Sequence, residues 1–288
     1  MGHYGRGSTE LQFCQSVRIL QTACAGAHST FSTLSMRDTL VLSSVLTAVI
    51  MSCAPGAEVV PPSTPEAPMM EAPPAEAAPA KAAFATLEEN HKSELNRLTP
   101  ELRASLKPLA ENAYPSTRAA LKAALAGAQR KPGHAARDAQ RHPRETLEFV
   151  ALQPNQNVLE VGPGEAWYTE LLAPTLAKNG KLFVTQFDPN GSKDQRLTLY
   201  GLRTKYFLEE LPEVYSKVEP VVVDTAAPKL SLDGKLDSVL LIRGAHGLVN
   251  NKVLTPWLAE FHRALKARGI LGIEQHRAAA GQSSDEAT

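Results

Sequence analysis

The chain has 288 residues, 43% of them hydrophobic and 21% charged, with thirty basic residues balancing thirty acidic ones. That length allows one large domain or two small ones with a real core, and zero net charge excludes a general attraction to nucleic acid. Three cysteines (Cys14, Cys24 and Cys53) make no disulfide framework, and no Cys/His cluster has metal-ligand spacing.

Residues 1–35 are polar and carry no core-forming period. Met36-Arg37-Asp38 then leads into Thr39–Met51, thirteen residues without a charge. A membrane-spanning helix needs roughly 20 apolar residues, so this run is too short to span and fits the apolar region of a signal peptide. Ile50-Met51-Ser52-Cys53 resembles the bacterial lipobox, a signal cut before the cysteine, which is then acylated. The apolar run lies too far from Met1 for such a signal and at the right distance from Met36. The expectation is therefore a non-native or disordered extension over 1–35, a lipoprotein signal peptide over 36–52, and membrane attachment in the cell envelope through a lipid anchor on Cys53. If the signal is not used, the run is a buried apolar helix of a cytoplasmic protein.

Residues 54–80 hold eight Pro, eight Ala and four Glu, with no Lys or Arg. Such a stretch buries little apolar surface and stiffens toward polyproline II, so 53–82 reads as a linker. Residues 83–133 read as a helical lead-in. Leu87, Leu95, Leu98, Leu102, Leu106 and Leu109 fall on one face of a 3.6-residue period. Thr99-Pro100 has the form of an N-cap followed by proline at the first helical position, and Pro108 is expected to kink or end that helix. A second, Ala-rich helix is expected from Pro115 to Gln129.

From residue 144 helices and strands alternate. The pattern predicts a short helix over 144–150, strands over 157–161, 181–187, 219–223, 236–242 and 269–274, and helices over 165–177, 194–208 and 253–267. Apolar runs such as Val221-Val222-Val223 and Val239-Leu240-Leu241-Ile242 suit strands buried on both faces. The alternation predicts a parallel sheet with right-handed crossovers.

The first strand runs into Glu160-Val161-Gly162-Pro163-Gly164-Glu165-Ala166-Trp167. Glycines there let backbone approach a ligand, and the following helix start offers free N–H groups. A dinucleotide fingerprint, G-x-G-x-x-G, would need glycine where Trp167 stands, which argues against an NAD-dependent oxidoreductase. The segment resembles motif I, E/D-x-G-x-G-x-G, of class I S-adenosylmethionine-dependent methyltransferases, with Ala166 in place of the third glycine. The resemblance implies a Rossmann-like three-layer α/β/α sandwich, strand order 3-2-1-4-5, over residues 134–288.

It also implies a cofactor half. Glu160 holds the turn and the methionine end of the cofactor, Gly162 and Gly164 contact the adenosyl part, and Asp188 after the second strand accepts from the ribose hydroxyls. By spacing, Gln186 could take that position instead. Asp224 after the third strand matches the residue that binds the adenine amino group. Asp237-Ser238-Val239-Leu240 and Leu265-Lys266-Ala267-Arg268-Gly269 resemble the fourth strand and the turn before the fifth.

Arg141-His142-Pro143, Trp167-Tyr168-Thr169-Glu170, Arg243 with His246, and His276-Arg277-Ala278 are similar to features of an exported methyltransferase-like subgroup. Arg243 and His246 would lie where this fold delivers catalytic or acceptor-binding groups, with His246 a candidate general base. The methyl acceptor is not legible. The family has seven strands, and this chain stops soon after the fifth, which predicts C-terminal truncation and an exposed edge on strand five. The opposing expectation is a catalytically degenerate lipoprotein that binds a small ligand or a protein partner.

Overall fold

The computed structural model describes residues 16–22, 30–35 and 77–276, with side chains over 81–275. The apolar run, Cys53 and most of the expected linker lie outside the described residues, as does the tail from residue 277.

Two strands come first, β1 (Ser16–Thr22) and β2 (Thr30–Ser35). Three helices follow: α1 (Ala77–Arg97), α2 (Pro100–Glu111) and α3 (Thr117–Ala126). The Leu102 N–H donates to Thr99 Oγ1 at 3.3 Å, the expected cap, and the Ala119 N–H donates to Ser116 Oγ at 3.2 Å. Helix α2 passes Pro108 and reaches Glu111, where a kink or stop was expected. The proline sits in the last turn, and the Asn112 N–H closes that turn on the Pro108 carbonyl at 3.0 Å. Two short helices, α4 (Asp138–Arg141) and α5 (Pro143–Phe149), meet at His142, whose φ is 41°.

The alternating part runs β3 (Asn157–Val161), α6 (Thr169–Leu176), β4 (Lys181–Gln186), α7 (Arg196–Glu210), α8 (Pro212–Tyr215) and β5 (Glu219–Val222). It continues with β6 (Leu236–Ile242), α9 (Ala245–Asn250), α10 (Leu254–Ala264) and β7 (Leu265–His276). Helix α6 begins four residues later than expected, because residues 162–168 form a turn instead.

Strands β5, β4, β3, β6 and β7 lie side by side and pair in parallel, which is the 3-2-1-4-5 order of a Rossmann-like α/β fold. The alternation along each strand explains why both faces are covered. Val158 and Leu240 face an apolar cluster with Leu121, Leu147, Leu171 and Leu176, while Leu159 and Val239 face one with Trp257, Leu258 and Phe261. Each such fully buried side chain contributes roughly 1.5–3 kcal/mol. Leu98, Leu106 and Leu121 of the lead-in belong to the first cluster, so these helices are one layer of the domain.

The sheet does not stop at the fifth parallel strand. No core-forming period in 1–35 announces a strand, and the alternating pattern ends at the fifth. In the structure β1 pairs in parallel with β7, from Ser16 opposite Ile270 to Thr22 opposite His276, and β2 pairs antiparallel with β1. The hairpin covers the free side of β7, the edge that was expected to be exposed. These pairs join residues some 250 positions apart, so no local period announces them. The opposite edge is β5, where Glu219 and Pro220 are exposed and discourage further pairing.

Candidate functional site

The carboxyl ends of β3, β4, β5 and β6 bring the candidate residues to one edge of the sheet. From β3 the chain crosses toward β4, and from β6 it crosses toward β7, so the loops above β3 and β6 diverge. This is the switch point at which open parallel sheets bind ligands.

The turn after β3 is left-handed three times: Gly162 has φ 62°, Gly164 φ 58° and Ala166 φ 63°. The first two conformations are natural for glycine, and the third places an L-residue where glycine is favoured. The Gly162 N–H donates to Thr185 Oγ1 at 2.7 Å, which ties the turn to β4. The Ala166 N–H donates to the Pro163 carbonyl at 2.8 Å.

Glu160 is the penultimate residue of β3, under this turn, and is buried. The Thr169 hydroxyl donates to its Oε2 at 2.7 Å. Burial pushes the Glu160 carboxyl up to about 7, against the smaller opposing effect of that hydrogen bond.

Asp188 lies exposed in the loop after β4, and its Oδ1 accepts from the Asn190 N–H at 2.9 Å. Gln186, the alternative by spacing, is buried and donates its amide to the Gly201 carbonyl at 3.0 Å. It is therefore committed to α7, and Asp188 is the group that faces solvent. A Cβ added to Gly201 would lie 2.5 Å from the Phe187 carbonyl oxygen and 3.0 Å from the Asp188 carbonyl carbon. Helix α7 thus approaches the Asp188 loop backbone to backbone. Asp224 is also exposed, with Oδ1 accepting from the Ala226 N–H at 2.8 Å. The neighbouring Thr225 carbonyl accepts from Trp257 Nε1 at 3.0 Å, which holds the loop after β5.

Beyond β6, Arg243 has φ 58° and its N–H donates to the Glu274 carbonyl at 2.6 Å. His246 follows in the first turn of α9, half-buried, with Nδ1 against the side-chain amide of Gln275. Glu274 and Gln275 of β7 are buried at this end of the sheet, and no motif in the sequence marks them. The Tyr168 hydroxyl is buried too, and burial together with nearby Glu274 pushes its phenol up.

Trp167 is buried in the apolar cluster behind the turn. Its indole N–H donates to the His134 carbonyl at 2.8 Å, and the Arg130 and Arg141 guanidiniums lie 5.2 and 4.8 Å from its ring. Glu170 fastens the same segment. Its Oε1 accepts from the Lys131 N–H at 2.7 Å, and its Oε2 lies 3.0 Å from His134 Nδ1 and 3.5 Å from Arg130 Nε. Arg130 also makes a two-pronged pair with Asp138, at 2.6 and 2.9 Å.

The arrangement fits S-adenosylmethionine in two respects. The left-handed turn is bare of side chains at Gly162 and Gly164, and three carboxyl groups stand at this edge, which favours a cationic ligand: Glu160 buried beneath the turn, and Asp188 and Asp224 exposed in the loops after β4 and β5. No group of His, Cys, Asp and Glu among the described residues has metal-binding geometry. No helix among them is long and apolar enough to cross a membrane.

No family model matches this chain, and no curated protein matches it in sequence. Among solved structures it is similar to a SAM-dependent methyltransferase from Aquifex aeolicus, at 20% identity over 43% of this chain and 58% of that one, with a TM-score of 0.32. It is also similar to coclaurine N-methyltransferase bound to N-methylheliamine and SAH, at 16% identity over 67% of this chain and 61% of that one, with a TM-score of 0.35. A third is Aeropyrum pernix fibrillarin with natively bound S-adenosyl-L-methionine, at 14% identity over 35% of this chain and 40% of that one, with a TM-score of 0.22. The chain spans about three fifths of the length of the first two.

Proposed function

We propose that this chain is an S-adenosylmethionine-dependent methyltransferase. The observation that carries the reading is the left-handed glycine turn at the end of the central strand, with Glu160 beneath it and Asp188 exposed in the loop after the next strand. Glu160, Gly162, Gly164, Asp188 and Asp224 form the cofactor half, and Arg243 and His246 form the acceptor half. When bound, the cofactor supplies an electrophilic methyl group. The protein's part is to hold the adenosyl and methionine ends and to orient the acceptor from the β6 side. Titration calorimetry with S-adenosylmethionine tests the reading directly, and heat that does not saturate at one site per chain would sink it.

A second reading is favoured by Ala166, which holds a left-handed conformation that costs an L-residue about 1–2 kcal/mol. A turn that has lost its third glycine suits a protein that binds the ligand without turnover. Saturable binding with no methyl loss to any fraction of a cell extract would select it.

Envelope attachment through acylated Cys53 is part of the first proposal and rests on the lipobox-like segment. Cleavage before Cys53 would remove residues 16–35 from the chain, so the acylated form and the hairpin-completed sheet exclude one another. The intact mass of the protein from its native membrane or soluble fraction decides between them.

A further inference from the structure

We infer that Gln275 fixes His246 as a hydrogen-bond donor through Nε2, so that the acceptor half recognises an oxyanion instead of removing a proton. This rests on the proposed placement of His246 in the acceptor half. The Gln275 amide is buried, and its orientation is set by backbone. The Ala245 N–H donates to Gln275 Oε1 at 3.2 Å, so the oxygen end of the amide must face that N–H. The nitrogen end then lies 3.1 Å from His246 Nδ1, nearer than the 3.4 Å from Oε1 to the same atom.

An amide NH₂ can only donate, and a protonated Nδ1 can only donate. A proton on Nδ1 would set two donors against each other at 3.1 Å. Nδ1 is therefore the acceptor, and the neutral ring carries its proton on Nε2. The partner of one ring nitrogen decides what the other can do. A general base acting through Nε2 would need the opposite tautomer, held by an acceptor at Nδ1 such as a carboxylate or a carbonyl.

The chemistry that suits an Nε2–H donor is an acceptor that arrives already deprotonated, and the simplest class is a carboxylate. Methyl transfer to a carboxylate oxygen forms an O–C bond and breaks the S–C bond, with the electron pair left on sulfur. No proton is released, so no base is required. An amine acceptor would have to lose a proton, and His246 in this tautomer does not take one. Gln275 is thus a positioning residue, acting through His246.

The tautomer is read by two-bond ¹⁵N–¹H correlation spectra of the imidazoles of the full chain, with the His246 signals assigned by their loss in His246→Gln. The expected wild-type pattern is Nε2–H. In Gln275→Glu, whose carboxylate accepts from the ring, the expected pattern is Nδ1–H. A wild-type Nδ1–H pattern overturns the inference, and so does an unchanged pattern in a folded Gln275→Glu. None of these outcomes depends on cofactor binding, so they stand apart from the methyltransferase reading. The ligand class is tested by titrating benzoate and benzylamine while following the His246 Nε2 signal. A shift with benzoate alone supports the oxyanion. A shift with benzylamine alone, or with neither, overturns it.

Discussion

The Thr169 hydroxyl and the Glu160 carboxylate form a buried hydrogen bond of 2.7 Å beneath the glycine turn. The bond favours the charged carboxylate, but burial outweighs it and holds the folded value at about 7, against 4.5 for the exposed group. A raised carboxyl means that the folded state keeps a proton that the unfolded state has lost. The stability contributed is therefore full below about pH 4.5 and is lost as pH rises toward 7. The difference is roughly 3 kcal/mol. Glu160→Gln should flatten this window and leave the variant more stable than wild type at pH 8. Urea midpoints at pH 5 and pH 8 check it, and parallel pH dependence in the two proteins would refute it.

Gly162→Val should abolish measurable S-adenosylmethionine binding. Valine at φ 62° is a steric outlier, and its side chain would also occupy the bare face of the turn. Far-ultraviolet circular dichroism should stay close to wild type, because the turn lies outside every helix and strand. Wild-type affinity in the variant would remove the turn from the site.

Gly201→Ala should weaken S-adenosylmethionine binding by roughly tenfold. Its Cβ meets backbone atoms of Phe187 and Asp188, which cannot rotate away, so the loop that carries Asp188 must shift. Overpacking of this kind costs about 1–3 kcal/mol. The discriminating measurement is a double-mutant cycle with Asp188→Ala. If Gly201 acts through Asp188, its substitution has no further effect on affinity in the Asp188→Ala background. Additive losses would assign Gly201 a purely structural role.

Ala166→Gly should stabilise the protein by up to about 1 kcal/mol, since it relieves a left-handed alanine at φ 63° and forfeits part of the gain to unfolded-state entropy. The thermal midpoint measures this, and a lower midpoint would show that the Ala166 methyl, which is buried, contributes more by packing than it costs by strain.

Glu170→Ala should destabilise by about 3–5 kcal/mol, because it leaves buried donors on the lead-in without their carboxylate. Loss of that fastening should expose residues 131–141 to trypsin at Arg137 and Arg141. Equal rates of cleavage in variant and wild type would show that the Trp167 contacts alone hold the segment.

Sequence and tertiary structure divided the work along a physical line, which is distance along the chain. Alternation in Val158-Leu159 and Val239-Leu240, the cap at Thr99-Pro100 and the glycines at 162 and 164 are local, so the parallel five-strand order and the turn were legible in the amino-acid order. Backbone conformation at these positions depends on neighbours a few residues away. The pairs that finish the site are not local. Thr185 holds Gly162 across 23 positions, Gln275 orients His246 across 29, and Glu170 fastens His134 across 36. The β1–β2 hairpin reaches β7 across some 250. Such partners share no period or motif, since a side chain chooses among them only after the sheet has brought them within hydrogen-bonding distance. Motif spacing could nominate His246 as a base, and only the amide packed against its Nδ1 decided that the ring donates.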